Sequence, residues 1–218
     1  MYIKDIFYSF QGEGPFIGYP QIFVRFYGCN IHCDYCDEPD FVHQRKPYTV
    51  DQVMTELEPL LAKRPHSISI TGGEPLIQVE ALKQLVPLLP IPAYLETNGT
   101  LPKHLSEVVD LFEYFSVDYK PGFDKEFADF MTILSGRENV FVKWVLTKGF
   151  PVLELKKMIN TVATVAPNVP FVIQPVTPFG AVKDKAAVED IERAYNFAHQ
   201  KLADVRVIPQ THKLVGLK

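Results

Sequence analysis

Cysteine is almost absent from this chain: three residues in 218. So small and odd a number excludes the disulfide framework of a compact secreted protein. No apolar run approaches the roughly 18 to 20 residues that span a bilayer, so no membrane segment is expected. The first residues, Met1-Tyr2-Ile3-Lys4-Asp5, lack the apolar core and small-residue cleavage site of a signal peptide. Positive charge is not in excess either. Lys and Arg number 22 against 26 Asp and Glu, a net charge of -4, which argues against nucleic acid as the main partner. Internal repeats, low-complexity tracts and linker-like shifts in composition are missing, so one domain over residues 1–218 is expected. With cysteines that look reduced, these absences point to the cytoplasm.

What is present is concentrated. All three cysteines fall in Gly28-Cys29-Asn30-Ile31-His32-Cys33-Asp34-Tyr35-Cys36. Thiols used as core filler would be scattered. Three on one short loop suit an iron–sulfur cluster, or zinc with a fourth ligand. His32 offers that fourth ligand, giving a Cys3His zinc site. It adjoins Cys33, however, which makes simultaneous tetrahedral ligation awkward, and a chain that is 47% hydrophobic has core enough without a zinc staple.

Around the loop the chain alternates. Strands are predicted at 2–8, 21–27, 67–70, 93–96, 114–118, 140–146, 171–174 and 205–208. Helices are predicted from Thr49 through about Lys63, over 76–89, from Pro102, and over 125–135, 151–165 and 185–202. Thr49 is placed to cap the first, with Gln52 completing a capping box. Residues 209–218 are left as a tail. Repeated strand–helix alternation argues for an α/β fold with a mainly parallel sheet. A closed eight-stranded barrel typically takes about 250 residues, so a partial, open β/α barrel is favoured over a closed one. A flat doubly wound sheet is the alternative.

Ligand sites in such folds gather at the C-terminal ends of strands. Here those ends carry the cysteine loop, Thr71-Gly72-Gly73-Glu74-Pro75, Glu96-Thr97-Asn98-Gly99, Asp118-Tyr119-Lys120, Thr147-Lys148-Gly149 and Gln174-Pro175-Val176-Thr177. Each alone reads as turn chemistry. Together they form a polar rim facing the cysteines.

The spacing Cys29-x3-Cys33-x2-Cys36, with Tyr35 before the last cysteine, and the Gly72-Gly73-Glu74-Pro75 turn resemble the two signatures of radical S-adenosylmethionine enzymes. Three thiolates on a four-iron cube leave one iron open to chelate the amino and carboxylate groups of S-adenosylmethionine. The resemblance extends to one family. Ser9-Phe10-Gln11-Gly12-Glu13-Gly14-Pro15, Arg25-Phe26-Tyr27-Gly28-Cys29 and the tail Gln210-Thr211-His212-Lys213 are similar to the 7-carboxy-7-deazaguanine synthase (QueE) family. That implies conversion of 6-carboxy-5,6,7,8-tetrahydropterin to 7-carboxy-7-deazaguanine with loss of ammonia, a step toward queuosine or archaeosine. It implies a 5'-deoxyadenosyl radical made from S-adenosylmethionine, electrons from a flavodoxin or ferredoxin, and a homodimer. Related alternatives are an activating enzyme for a glycyl-radical protein and a non-catalytic zinc-stabilised interaction domain.

By the same resemblance, Cys29, Cys33 and Cys36 hold the 4Fe-4S cluster. Gly73 and Glu74, Asp118, Tyr119 and Lys120, and Gln174, Pro175, Val176 and Thr177 contact S-adenosylmethionine. Phe10, Gln11, Gly12, Glu13, Arg25 and Thr71 line the pterin site, and Lys218 reaches it through its backbone carboxylate. Arg25 lies in an otherwise apolar strand, where its charge needs a partner: an internal acid, or a substrate carboxylate held by two parallel hydrogen bonds. The family also uses Mg2+, with a hydroxyl residue two positions after the last cysteine. That position here is Glu38, a suitable oxygen ligand; the alternatives are Asp37 or Asp40 in its place, or loss of the metal dependence.

Overall fold

The computed structural model describes residues 1–36 and 47–218. Its strands are β1 (Ile3–Phe10), β2 (Pro20–Phe26), β3 (Ser67–Gly72), β4 (Ala93–Thr97), β5 (Tyr114–Asp118), β6 (Val140–Leu146), β7 (Phe171–Pro175) and β8 (Val205–Val207). They form one sheet in chain order, with β1 antiparallel to β2 and every later pairing parallel. β1 and β8 are its two edges, so the barrel is open, as the short chain led us to expect.

Side chains alternate along each strand, and the two faces of the sheet differ in chemistry. Ile68 and Ile70 of β3, Phe115 and Val117 of β5, and Val142 and Trp144 of β6 point outward and are buried. They pack with buried residues of α1 (Val50–Leu61), α2 (Val79–Leu85), α3 (Pro102–Ser106), α4 (Asp124–Ile133), α5 (Val152–Val165) and α6 (Val188–His199). Burial of each large apolar side chain there contributes roughly 1.5–3 kcal/mol. The inner face alternates with it: Ser67, Ser69 and Thr71, then Tyr94 and Glu96, then Ser116 and Asp118, then Phe141 and Lys143. Its lower end is closed by the 3-10 turn Gly14–Phe16, whose Phe16 ring lies 5.7 Å from Tyr94 and 5.1 Å from Tyr114. The upper end is a polar cavity.

Most predicted elements fall within a residue or two of the observed ones. Thr49 and Gln52 form the expected capping box. The helix expected over 76–89 is broken into a 3-10 turn Pro75–Gln78, α2, and a second turn Val86–Leu88. Pro87 has no N–H to donate to the preceding turn, and the regular helix gives way at Val86, one residue before it. α6 starts at Val188 rather than 185, and the tail contains a further helix, α7 (Thr211–Val215). No described helix is long and apolar enough to cross a membrane.

Candidate active site

The inner face and the strand-end loops enclose a cavity of about 430 Å³. Cys29, Cys33 and Cys36 lie on its wall as reduced thiols. Burial, with the charges of Glu74 and Cys33 nearby, pushes the Cys29 thiol pKa up. Among the described residues, no three His, Cys, Asp or Glu side chains converge on one ion.

The cysteine loop is strapped to the turn after β3. Gly73 N–H donates to Phe26 O (3.1 Å) and Glu74 N–H to Gly28 O (2.8 Å). A Cβ on Gly73 would lie 2.0 Å from Gly28 O, so only glycine permits this approach. The Glu74 side chain is fully buried and accepts from Leu76 N–H (3.0 Å), Thr97 Oγ1 (2.9 Å) and Asn98 N–H (2.6 Å). Burial raises its pKa to about 7 against the pull of these donors. Glu74 thus ties the β3 and β4 turns together from behind the cavity wall. Asn98 extends the tie, donating to Asn30 Oδ1 (2.9 Å) beside Cys29.

Gln11, Gly12 and Glu13 form the opposite wall. Gln11 Nε2 donates to Gln21 Oε1 (3.0 Å) and Glu96 Oε1 (2.9 Å). Glu96 accepts also from Ser69 Oγ and Thr71 Oγ1, both at 3.0 Å. Burial pushes the Glu96 pKa up, opposed by the Lys143 charge. Gly12 is covered by His212, whose Nδ1 would be 2.1 Å from any added Cβ. Gly12 O accepts from Thr211 N–H (2.9 Å), which docks α7 onto this loop.

Asp5, Phe7 and Ser9 project from one face of β1, two residues apart. Arg25 stands 3.7 Å from Asp5 and stacks over the Phe7 ring at 4.7 Å. Lys218 Nζ pairs with the same Asp5 (2.6 Å) and covers the same ring (4.3 Å), while the Lys218 backbone oxygen accepts from Ser9 Oγ (3.0 Å). Arg25 therefore has the internal acid considered for it and still lines the cavity.

The remaining wall comes from β5, β6 and β7. Asp118 and Lys143 are register partners on adjacent strands and meet at 3.2 Å. Lys120 pairs with Asp118 (3.0 Å), and its Nζ lies 3.3 Å from the Tyr35 hydroxyl and 5.2 Å from the ring. Burial works against the Asp118 carboxylate, but the two ammoniums overcome it and hold its pKa below the ordinary value. Both lysines stay well above theirs: burial opposes them, and Asp118, with Glu13 for Lys143, prevails. Gln174 lines the cavity, and its Oε1 is buried with no hydrogen-bond partner among the described residues.

Phe10, Val176 and Thr177 also line the cavity. Tyr119 and Pro175 do not. Tyr119 turns outward into the core, its ring on Phe127 and its hydroxyl donating to Asp124, so its side chain is turned away from the cavity. Glu38, with Asp37 and Asp40, lies outside the described residues. Glu96 and Lys143 were passed over as site residues in the sequence. A charge within an apolar strand marks Lys143 in Val140–Leu146 just as it marks Arg25.

Residues 23–135 match the Radical SAM superfamily. The 7-carboxy-7-deazaguanine synthase of Geobacter sulfurreducens is 35% identical over 98% of this chain and 96% of its own length. That of Methanothermobacter thermautotrophicus is 33% identical over 99% and 97%. The chain belongs to the 7-carboxy-7-deazaguanine synthase family. Membership carries with it the 4Fe-4S cluster and S-adenosylmethionine of the superfamily, and it closes the glycyl-radical and zinc-domain alternatives. A crystal structure of QueE from Escherichia coli, 18% identical, covers 96% of this chain with a TM-score of 0.62, which shows the shared fold. The cysteine loop, glycine turn and polar wall are chemically suited to that cluster and cofactor.

Proposed function

We propose that this enzyme converts 6-carboxy-5,6,7,8-tetrahydropterin to 7-carboxy-7-deazaguanine, a carbon–nitrogen lyase reaction that releases ammonia on the path to 7-deazaguanine nucleosides. The observation that carries this reading is the convergence of the cysteine loop, the Gly72-Gly73 turn and the Gln11–Glu13 segment on one cavity, in a chain of this family. Cys29, Cys33 and Cys36 would hold the cluster. The Gly73 backbone, the Asp118 and Lys120 side chains, Gln174, Val176 and Thr177 would hold S-adenosylmethionine, with Tyr119 and Pro175 contributing only backbone and Glu74 only support. When bound, this pair supplies the hydrogen-abstracting radical chemistry, and the protein supplies position and exclusion of water.

The residues fit the pterin chemically. Arg25 offers a planar pair of donors to the substrate carboxylate. Glu13 and the Phe10–Gly12 backbone suit a pyrimidinone edge that both donates and accepts. Thr71 and Lys218 complete the wall. Glu96, buried on the same wall with its pKa raised by that burial, would hold Gln11 and Thr71 against the ring. Mg2+ held by Glu38, an electron donor of the flavodoxin or ferredoxin type, a homodimer and a cytoplasmic setting complete the reading. The test is anaerobic incubation with the carboxytetrahydropterin, S-adenosylmethionine and reductant. Formation of the deazaguanine is expected; 5'-deoxyadenosine accumulating stoichiometrically without it would reject the substrate.

A further inference from the structure

We propose that Lys143 is a positioning residue that holds Glu13 in place on the pterin side of the cavity while sharing Asp118 with the S-adenosylmethionine side. The inference rests on the proposed function, because it uses the two sides defined there.

Lys143 is buried in the middle of β6, with its side chain 9% exposed. Its ammonium meets two carboxylates from opposite walls. One is Glu13, from the loop between β1 and β2; the other is Asp118, at the end of β5. Glu96 from β4 adds its field, and Lys120 lies beyond Asp118. Burying an ammonium is costly unless it is paired, and removing it alone leaves its carboxylate partners buried without it. Methionine matches Lys143 in length, so Lys143→Met removes the charge with the least change in volume, and Lys143→Arg restores it.

The two partners do not depend on Lys143 equally. Asp118 keeps a second cation, Lys120 at 3.0 Å, when Lys143 is removed. Among the described residues, Glu13 keeps only the neutral Gln210 amide at 2.7 Å on its other oxygen, and its backbone N–H bond to Gln11 Oε1 at 3.1 Å. Loss of Lys143 should thus release the pterin wall and spare the cofactor wall. A residue that merely filled space would disturb both.

The test is steady-state kinetics of reconstituted Lys143→Met and Lys143→Arg, alongside wild type. Lys143→Met should raise KM for the carboxytetrahydropterin roughly 10- to 100-fold and that for S-adenosylmethionine by less than about threefold, with cluster content unchanged. Lys143→Arg should recover part of the pterin KM. Equal rises in both constants, or no rise in either, would overturn the inference. If Lys143→Met does not fold, Glu13→Gln is compared with the charge-balanced Glu13→Gln/Lys143→Met. Equal pterin KM in the two supports action through Glu13, and a further loss of about tenfold in the double variant contradicts it. A wild-type protein that forms no deazaguanine overturns the functional reading and this inference together. Wild-type turnover without the asymmetry overturns the inference alone.

Discussion

The same strands present two faces that obey different rules. On the outer face of β6, Val142, Trp144 and Leu146 are buried against helices, and any well-packed apolar set of similar volume would serve. On the inner face of the same strand Phe141 closes the barrel floor, and two residues on Lys143 meets Glu13 and Asp118. The outer face is specified by hydrophobicity and the inner by partner identity. Stability should therefore be sensitive to the first and chemistry to the second.

The widest separation is expected at the cysteine loop. Cys33→Ala should abolish iron binding and turnover and leave the melting temperature of the metal-free protein within about a degree or two, because this free thiol is only partly buried and alanine is a small change there; iron analysis with calorimetry checks both. The opposite case is Trp144→Ala, which should cost about 3–5 kcal/mol in denaturant unfolding by leaving a cavity behind β6. If Trp144→Ala left stability intact while removing activity, the division between the faces would break.

Glu74 lies on the boundary, structural in role but charged. Glu74→Gln turns an amide toward one of three donors and should cost about 1–3 kcal/mol. Its folded pKa of about 7 lies above the ordinary value of 4.5, so the folded state binds the proton more tightly than the unfolded chain. The Glu74 contribution therefore falls as pH rises from 4.5 to about 7 and is constant above. Unfolding titrations of the metal-free protein should lose that part of their pH slope in Glu74→Gln, and an identical slope would remove the assignment. The smallest effect is expected at Arg25→Ala: about a tenfold rise in pterin KM with the cluster intact. Unchanged kinetics would assign Arg25 to its Asp5 pair alone.

The outer face was legible in the sequence because apolar periodicity reports burial directly. The strand positions, the Thr49 capping box and the cysteine and Gly72-Gly73 loops followed from local pattern. The inner pairings did not. Lys143 and Glu13 are far apart in the chain, and nothing local in Val140–Leu146 names the partner. Glu96 read as a strand-end residue although it organises Gln11, Ser69 and Thr71. Helix α7 was hidden because its stability comes from docking on Gly12 rather than from its own five residues.

Electron paramagnetic resonance of the anaerobically reconstituted, dithionite-reduced protein, with and without S-adenosylmethionine, tests most directly whether the cysteine loop and the inner-face cavity form one cofactor site. The expected result is a brown protein whose reduced-cluster signal changes when S-adenosylmethionine is added and disappears in Cys33→Ala. A colourless protein with one tightly held zinc, or a cluster signal indifferent to S-adenosylmethionine, would contradict it.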